Sequence, residues 1–200
     1  MNYLNQKLTF SDNKISYYHN NNLEEYDNFQ VMMDWENPIM SASAAYVCEG
    51  GGDILEIGFG MGISAGYIQS HSIDSHTIVE NHPEIIPKAL EWASTKTNVT
   101  IITGSWFRGM TSTDGITWTN IFGTYDGLFY DTYADSDMKY FSSSLSSYMK
   151  PGGKASWWNS ITGSENYYNI PDVTYQIFDV DPPTNNYFNH KQYYLPKKEF

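Results

Sequence analysis

Ile54-Leu55-Glu56-Ile57-Gly58-Phe59-Gly60-Met61-Gly62 is a short apolar run that breaks into glycines at every second position. The run reads as a buried strand. Glycine has no Cβ and adopts positive φ at little cost, so the backbone beyond Ile57 can turn tightly and pass close to a ligand. Further on, Thr77-Ile78-Val79 is a second apolar run, and it ends in Glu80. A strand, a glycine turn, a helix and an acid-tipped strand form the front half of an open α/β nucleotide site. The functional residues are sought around it.

The flanking segments continue the alternation. They predict a first strand from about Asp53, a helix from about Ile63 to Gln69, a second strand over His76 to Glu80 and a helix near Glu84 to Trp92. Val99 to Thr103 and Tyr125 to Asp131 read as the third and fourth strands. Met138 to Met149 reads as a helix stopped by Lys150-Pro151-Gly152-Gly153, and Lys154 to Trp158 as the fifth strand. Val173 to Val180 and Lys191 to Leu195 read as a closing antiparallel pair around Asp181-Pro182-Pro183. Upstream, Val31 to Glu49 suits an amphipathic helix broken near Asn37-Pro38, and residues 1–30 read as an irregular arm or lid. The expected fold is α/β: one domain over residues 1–200, with a doubly wound, mostly parallel Rossmann-like sheet and a C-terminal antiparallel hairpin.

Composition narrows the partners. A formal charge of −12 argues against nucleic acid, whose phosphates require clustered Lys and Arg, and suits a cationic ligand. The single cysteine, Cys48, excludes an internal disulfide and a multi-cysteine zinc site, and it reads as a small buried apolar residue. The five histidines, His19, His71, His76, His82 and His190, show no HExxH or paired ligand spacing, so no metal is expected. No apolar run approaches the ~20 residues of a membrane helix, and the Asn-rich N-terminus has no signal pattern. The expected setting is soluble, reducing and cytoplasmic, in an infected host cell if the Tyr and Asn load reflects an AT-rich viral genome.

Two readings of the glycines compete. Gly60-Met61-Gly62-Ile63-Ser64-Ala65 satisfies the G-x-G-x-x-A form of a dinucleotide fingerprint, but its first glycine comes two residues after Gly58, where the strand ends. Glu56 through Gly62 gives E-x-G-x-G-x-G, in which the acid can face the positive amino-acid part of S-adenosylmethionine. Glu80 then suits the ribose hydroxyls, as an acid at the second strand tip does in such sites.

Wider segments favour the second reading. Val31-Met32-Met33-Asp34-Trp35-Glu36-Asn37-Pro38-Ile39-Met40, then Gly58-Phe59-Gly60-Met61-Gly62, then Tyr130-Asp131-Thr132-Tyr133 occur in that order. This set resembles guanidinoacetate methyltransferase and the fungal-type arginine methyltransferases, and Val79-Glu80-Asn81-His82-Pro83 is similar to the fungal branch. Asp181-Pro182-Pro183 followed by Tyr193-Tyr194-Leu195-Pro196 is similar to the family's C-terminal hairpin. The resemblance runs from about Val31 to the end.

It implies that Phe59, Gly60, Met61, Gly62, Ile63 and Ser64 wrap the methionine part of S-adenosylmethionine. Glu80 would take the ribose, with Asn81 and His82 beside ribose and adenine, and Ser105 and Trp106 next to the base. Met40 would contact the cofactor and Met32 would face the substrate. Glu36 and Asp131 would hold the substrate's guanidino group, with Asp131 also bordering the cofactor. The backbone of Ile161 and Thr162 would hold a substrate carboxylate. Only Ile161 to Asp172 is available where the family places a helix, so that pocket wall must be shorter.

The chemistry follows from these residue types. A guanidinium has a pKa above ~12 and offers planar N–H donors but no free lone pair. Two carboxylates could grip it with charge-assisted, partly bidentate bonds and favour proton loss as a C–N bond forms, leaving S-adenosylhomocysteine as the second product. Asp131 is the expected proton acceptor and Glu36 holds the other edge. Alternatives are an idle cofactor-binding or partner-binding protein, aminopropyl transfer, or methylation of another amine. A nucleic-acid base methyltransferase would carry Asp/Asn-Pro-Pro-aromatic after the fourth strand, where this chain has Asp131-Thr132-Tyr133.

Overall fold

The computed structural model describes residues 7–17, 30–106, 123–133, 139–159 and 168–200. Leu8–Ser11 (β1) and Lys14–Tyr17 (β2) form a hairpin, and Gln30–Met33 (β3) completes a three-stranded antiparallel sheet. One 3-10 turn, Asp34–Glu36, leads into Asn37–Val47 (α1). The alternating segment follows: Asp53–Ile57 (β4), Ile63–Ile68 (α2), Ser75–Glu80 (β5), Ile86–Ala93 (α3), Val99–Thr103 (β6) and Tyr125–Tyr130 (β7). Phe141–Ser144 (α4), a 3-10 turn at Leu145–Tyr148, Met149–Trp157 (β8), Thr174–Asp179 (β9) and Gln192–Glu199 (β10) complete the described elements.

The large sheet has the order β6-β5-β4-β7-β8-β10-β9. Strands β4 to β8 pair in parallel, while β10 runs antiparallel to both β8 and β9. Ile54, Leu55, Glu56 and Ile57 are all buried because β4 is central and covered on both faces. Leu55 and Ile57 pack with Leu128, Tyr130, Trp106, Phe141 and Trp157. Ile54 and Phe129 pack on the other face with Ala44 and Val47 of α1 and Ile68 of α2. This is the doubly wound sheet with a hairpin edge that the sequence predicts.

Three local expectations need correction. Asn37-Pro38 starts α1 rather than breaking a helix, because a proline in the first turn lacks only an N–H that would have no intrahelical partner. Residues 7–17 are not irregular: Asp12-Asn13 makes the hairpin turn, and Asn13 O accepts the Asp34 N–H at 2.9 Å. The helix predicted over Met138–Met149 shrinks to α4 and its 3-10 turn. There Ser143 and Ser147 hydroxyls donate to Tyr140 and Ser144 carbonyls at 3.0 and 2.7 Å, and such local bonds compete with regular helix. Met149 instead opens β8, which passes through Pro151 where the β7–β8 register shifts.

Candidate active site

The carboxyl ends of β4, β5 and β7 meet at one edge of the sheet, where open α/β folds bind ligands. The Asp131 N–H donates to Ile57 O and the Gly58 N–H to Val79 O, both at 2.8 Å, so the three strand ends stay joined beyond the regular ladder. Gly58 has φ +94°, and a Cβ there would lie 1.9 Å from the Asp131 carbonyl oxygen. Only glycine fits. At Gly60 a Cβ would meet Met32 Sδ at 2.7 Å, and that sulfur accepts the Met61 N–H at 3.3 Å. The glycine turn is thus clamped between Asp131 and β3.

Glu80 ties the turn to the β5 tip. Its Oε2 accepts the Phe59 N–H at 2.9 Å, and its Oε1 accepts the Asn81 and His82 N–H groups at 2.8 and 2.7 Å. The Gly60 backbone adds a further bond. Burial still raises the Glu80 pKa, the amides acting against it.

A cleft opens beside this network. Its walls are Val31 and Met32 of β3, Ile57 to Gly60, Val79 to Asn81, Ile85, Gly104, Trp106 and Asp131 to Tyr133. Trp106 is buried and meets Tyr130, Phe141 and Tyr148 edge to face, with Tyr130 at 5.3 Å between ring centres.

Asp131 follows β7 on this wall, and burial followed by the Glu56 charge raises its pKa to about 7. Glu36 sits behind β3 and is 2% exposed. Its Oε1 accepts the Met33 N–H at 2.8 Å and the Tyr187 hydroxyl at 2.5 Å. Burial and then the Asp131 charge raise its pKa to about 8, against the lowering effect of those two bonds. The Asp131 charge therefore reaches Glu36 although Glu36 is not itself on the cleft wall. Tyr187 and Tyr193 are also raised by both acids, after burial. Trp35, Trp158, Phe188 and these two tyrosines form one aromatic wall, with Trp35 and Phe188 stacked at 5.5 Å.

Of the residues singled out in the sequence, Met32, Gly58, Phe59, Gly60, Glu80, Asn81, Trp106 and Asp131 line the cleft. Met61, Gly62, Ile63 and Ser64 continue the turn into α2 without lining it. Met40, in α1, is wholly buried, and His82 is buried with Nδ1 accepting the Glu84 N–H at 3.2 Å. Ser105 adjoins Trp106 off the wall. Glu56 does not face the cleft: side chains alternate along β4, so it shares the face of Ile54. There its Oε2 lies 2.9 Å from His76 Nε2 and its Oε1 accepts the Ser64 hydroxyl. Ile161 and Thr162 lie outside the described residues. Tyr187 and Asn185 escape sequence reasoning, because a loop residue after Pro-Pro carries no periodic signal, and Tyr193 reads only as part of the closing hairpin.

Comparison with known proteins identifies the family and the fold. The guanidinoacetate N-methyltransferase family model matches residues 5–170. The chain is similar to "Protein arginine N-methyltransferase 2" of Yarrowia lipolytica (30% identical, 90% of this chain and 39% of that protein) and of Aspergillus oryzae (33%, 90% and 41%). The Candida glabrata protein of the same name is 28% identical over 99% of this chain and 52% of its own length. The chain thus spans about half or less of the curated relatives it matches. Among solved structures it resembles N-methyltransferase NodS of Bradyrhizobium japonicum WM9 in complex with S-adenosylhomocysteine (TM-score 0.60, 12% identical, 90% and 92% covered). Spermidine synthase from Thermotoga maritima is also similar (TM-score 0.58, 11%, 96% and 72%). At such identities these structures speak for the class I methyltransferase fold alone.

Proposed function

The chain belongs to the guanidinoacetate N-methyltransferase family, and from that premise we propose that it transfers a methyl group from S-adenosylmethionine to a guanidino nitrogen. The acceptor is a small guanidino compound or an arginine. The observation that carries this reading is a pair of acids distant in sequence, Asp131 on the cleft wall beside the glycine turn and Glu36 buried within reach of its charge.

The cleft fits the cofactor by its chemistry. Gly58 and Gly60 bring bare backbone to the wall, Glu80 offers an acid for hydroxyls, and Val79, Ile85 and Trp106 provide apolar surface for a flat base. Ribose hydroxyls would share Glu80 with the amides it already accepts or displace those of the glycine turn. When bound, S-adenosylmethionine supplies a methyl group on a positively charged sulfur.

The chain's own residues do the rest. Two buried carboxylates raised into the neutral range favour holding a proton while no cation is present, since burial disfavours the charged form. A guanidinium replaces that proton and lets both ionise. Met33 and Tyr187 occupy Glu36 Oε1, so Glu36 offers its Oε2, and Asp131 meets the nitrogen on the cleft side. That nitrogen must lose a proton as it gains a methyl. Asp131, near neutrality, is suited to accept it. Positioning contributes most, because well-oriented reactants gain ~7–11 kcal/mol. A reducing cytoplasmic setting accords with the single, buried Cys48.

The test is a labelled-methyl assay across guanidinoacetate, free arginine, arginine peptides and simple amines. Label is expected in guanidino products together with S-adenosylhomocysteine. Saturable cofactor binding with no transfer to any guanidine would mean an idle binder, and aminopropylated product would mean a different reaction on the same fold.

A further inference from the structure

We infer that Tyr187, in the loop between β9 and β10, is a positioning residue of this reaction: its hydroxyl fixes Glu36 so that one carboxylate oxygen is left for the guanidino group. The inference rests on the guanidino-methylation reading and deepens it.

Hydrogen-bond direction supports it. The Trp35 indole can only donate, and its Nε1–H lies 3.0 Å from the Tyr187 hydroxyl oxygen. The hydroxyl's own hydrogen is then committed to Glu36 Oε1, at 2.5 Å. With the Met33 N–H on the same oxygen at 2.8 Å, Oε1 is filled by two donors from opposite ends of the chain. Among the described residues no donor reaches Oε2. Burial and the Glu36 charge hold the phenol far above its usual pKa, so it stays protonated and acts as a donor, never as the base.

The loop is built to present this ring. Asn185 Oδ1 accepts the Tyr187 and Phe188 N–H groups at 3.0 and 2.7 Å, while its Nδ2 donates to the Pro183 and Phe188 carbonyls at 2.8 and 2.9 Å. Asn186 Oδ1 accepts the Gln30 N–H at 3.1 Å, tying the loop to the start of β3. The titratable groups acting on Glu36 are Asp131 beyond β7 and Tyr187, with Tyr193 of β10 packed behind. A loop that served packing alone would not need the hydroxyl.

Tyr187→Phe keeps the ring and removes the donor. In protein labelled with 13C at glutamate carboxyls, the Glu36 signal, assigned with Glu36→Gln, is expected to titrate about one pH unit higher than in the wild type, since a donor to the ionised form is lost. With guanidinoacetate and free arginine as probes, KM is expected to rise about tenfold, with a smaller change in kcat and unchanged S-adenosylmethionine affinity. The acid limb of kcat/KM should move to higher pH. Trp35→Phe, which removes the donor behind Tyr187, should shift the Glu36 titration in the same direction by less. An active wild type with an unmoved Glu36 titration, KM and limb in Tyr187→Phe overturns the role of Tyr187 alone. A wild type that methylates neither probe overturns the reading beneath it.

Discussion

Asp131 is where the scaffold and the chemistry share one residue. Its carbonyl blocks any side chain at position 58, its N–H extends the β4–β7 ladder, and the residue lines the cleft. Asp131→Asn keeps the shape and removes the base. Methyl transfer should fall by ~10²–10⁴-fold while the S-adenosylmethionine Kd moves little, as measured by the labelled-methyl assay and calorimetry. Loss of cofactor binding as well would make Asp131 structural. Gly58→Ala should instead remove cofactor binding and lower Tm, because the new Cβ meets backbone that cannot yield. Both acids have raised pKa values, about 8 for Glu36 and about 7 for Asp131, and both must ionise to hold a cation. kcat/KM for a guanidino substrate should therefore climb from pH 6 to 8.5, with limbs belonging to the pair rather than to either acid. The glycines, Glu80 and Asp131 were legible because strand ends and glycine spacing mark them. Tyr187 was not: it reaches Glu36 across 151 positions, and only the folded loop brings them together.

Among elements, the parallel strands could be read from their apolar runs because a strand covered on both faces has no polar alternation. The N-terminal sheet could not. Its strands are short, and what fixes them is packing against distant residues: Leu8 and Ile15 sit with Phe59, Ile78 and Ile85, and the Leu8 N–H donates to Glu84 Oε2 at 2.7 Å. This hairpin supports β3, which in turn places Met32 over the glycine turn. Ile15→Ala should cost about 2–5 kcal/mol in urea unfolding, as large-to-small core changes do. It should also weaken S-adenosylmethionine binding. Unaltered stability and cofactor affinity would show the hairpin to be an ornament of the fold. The β8 start was misplaced for a related reason: Pro151 and Gly152 read as a stop, yet a register shift carries them inside the strand.

For the whole molecule, the raised acids make stability depend on pH in a definite direction. A carboxyl whose folded pKa exceeds its unfolded value stabilises fully below the unfolded pKa, and that contribution is lost as pH rises through the folded one. For Glu36 and Asp131 the window runs from about 4 to about 8. Glu49 and Asp181 are lowered and exposed, and Asp53 is lowered and half-buried, so their small opposing contribution lies at more acid pH. Tm should fall between pH 5 and 8.5, and Glu36→Gln or Asp131→Asn should flatten the fall; parallel curves would mean that the pair is not strained. The same pairing yields the most direct test of the site: calorimetry of arginine and guanidinoacetate binding to protein saturated with S-adenosylhomocysteine, at pH 7 in buffers of different ionisation enthalpy. Net proton release on binding, smaller in Asp131→Asn, is expected if a flat cation displaces protons that burial keeps on the two acids. Binding without proton exchange in any buffer would contradict it.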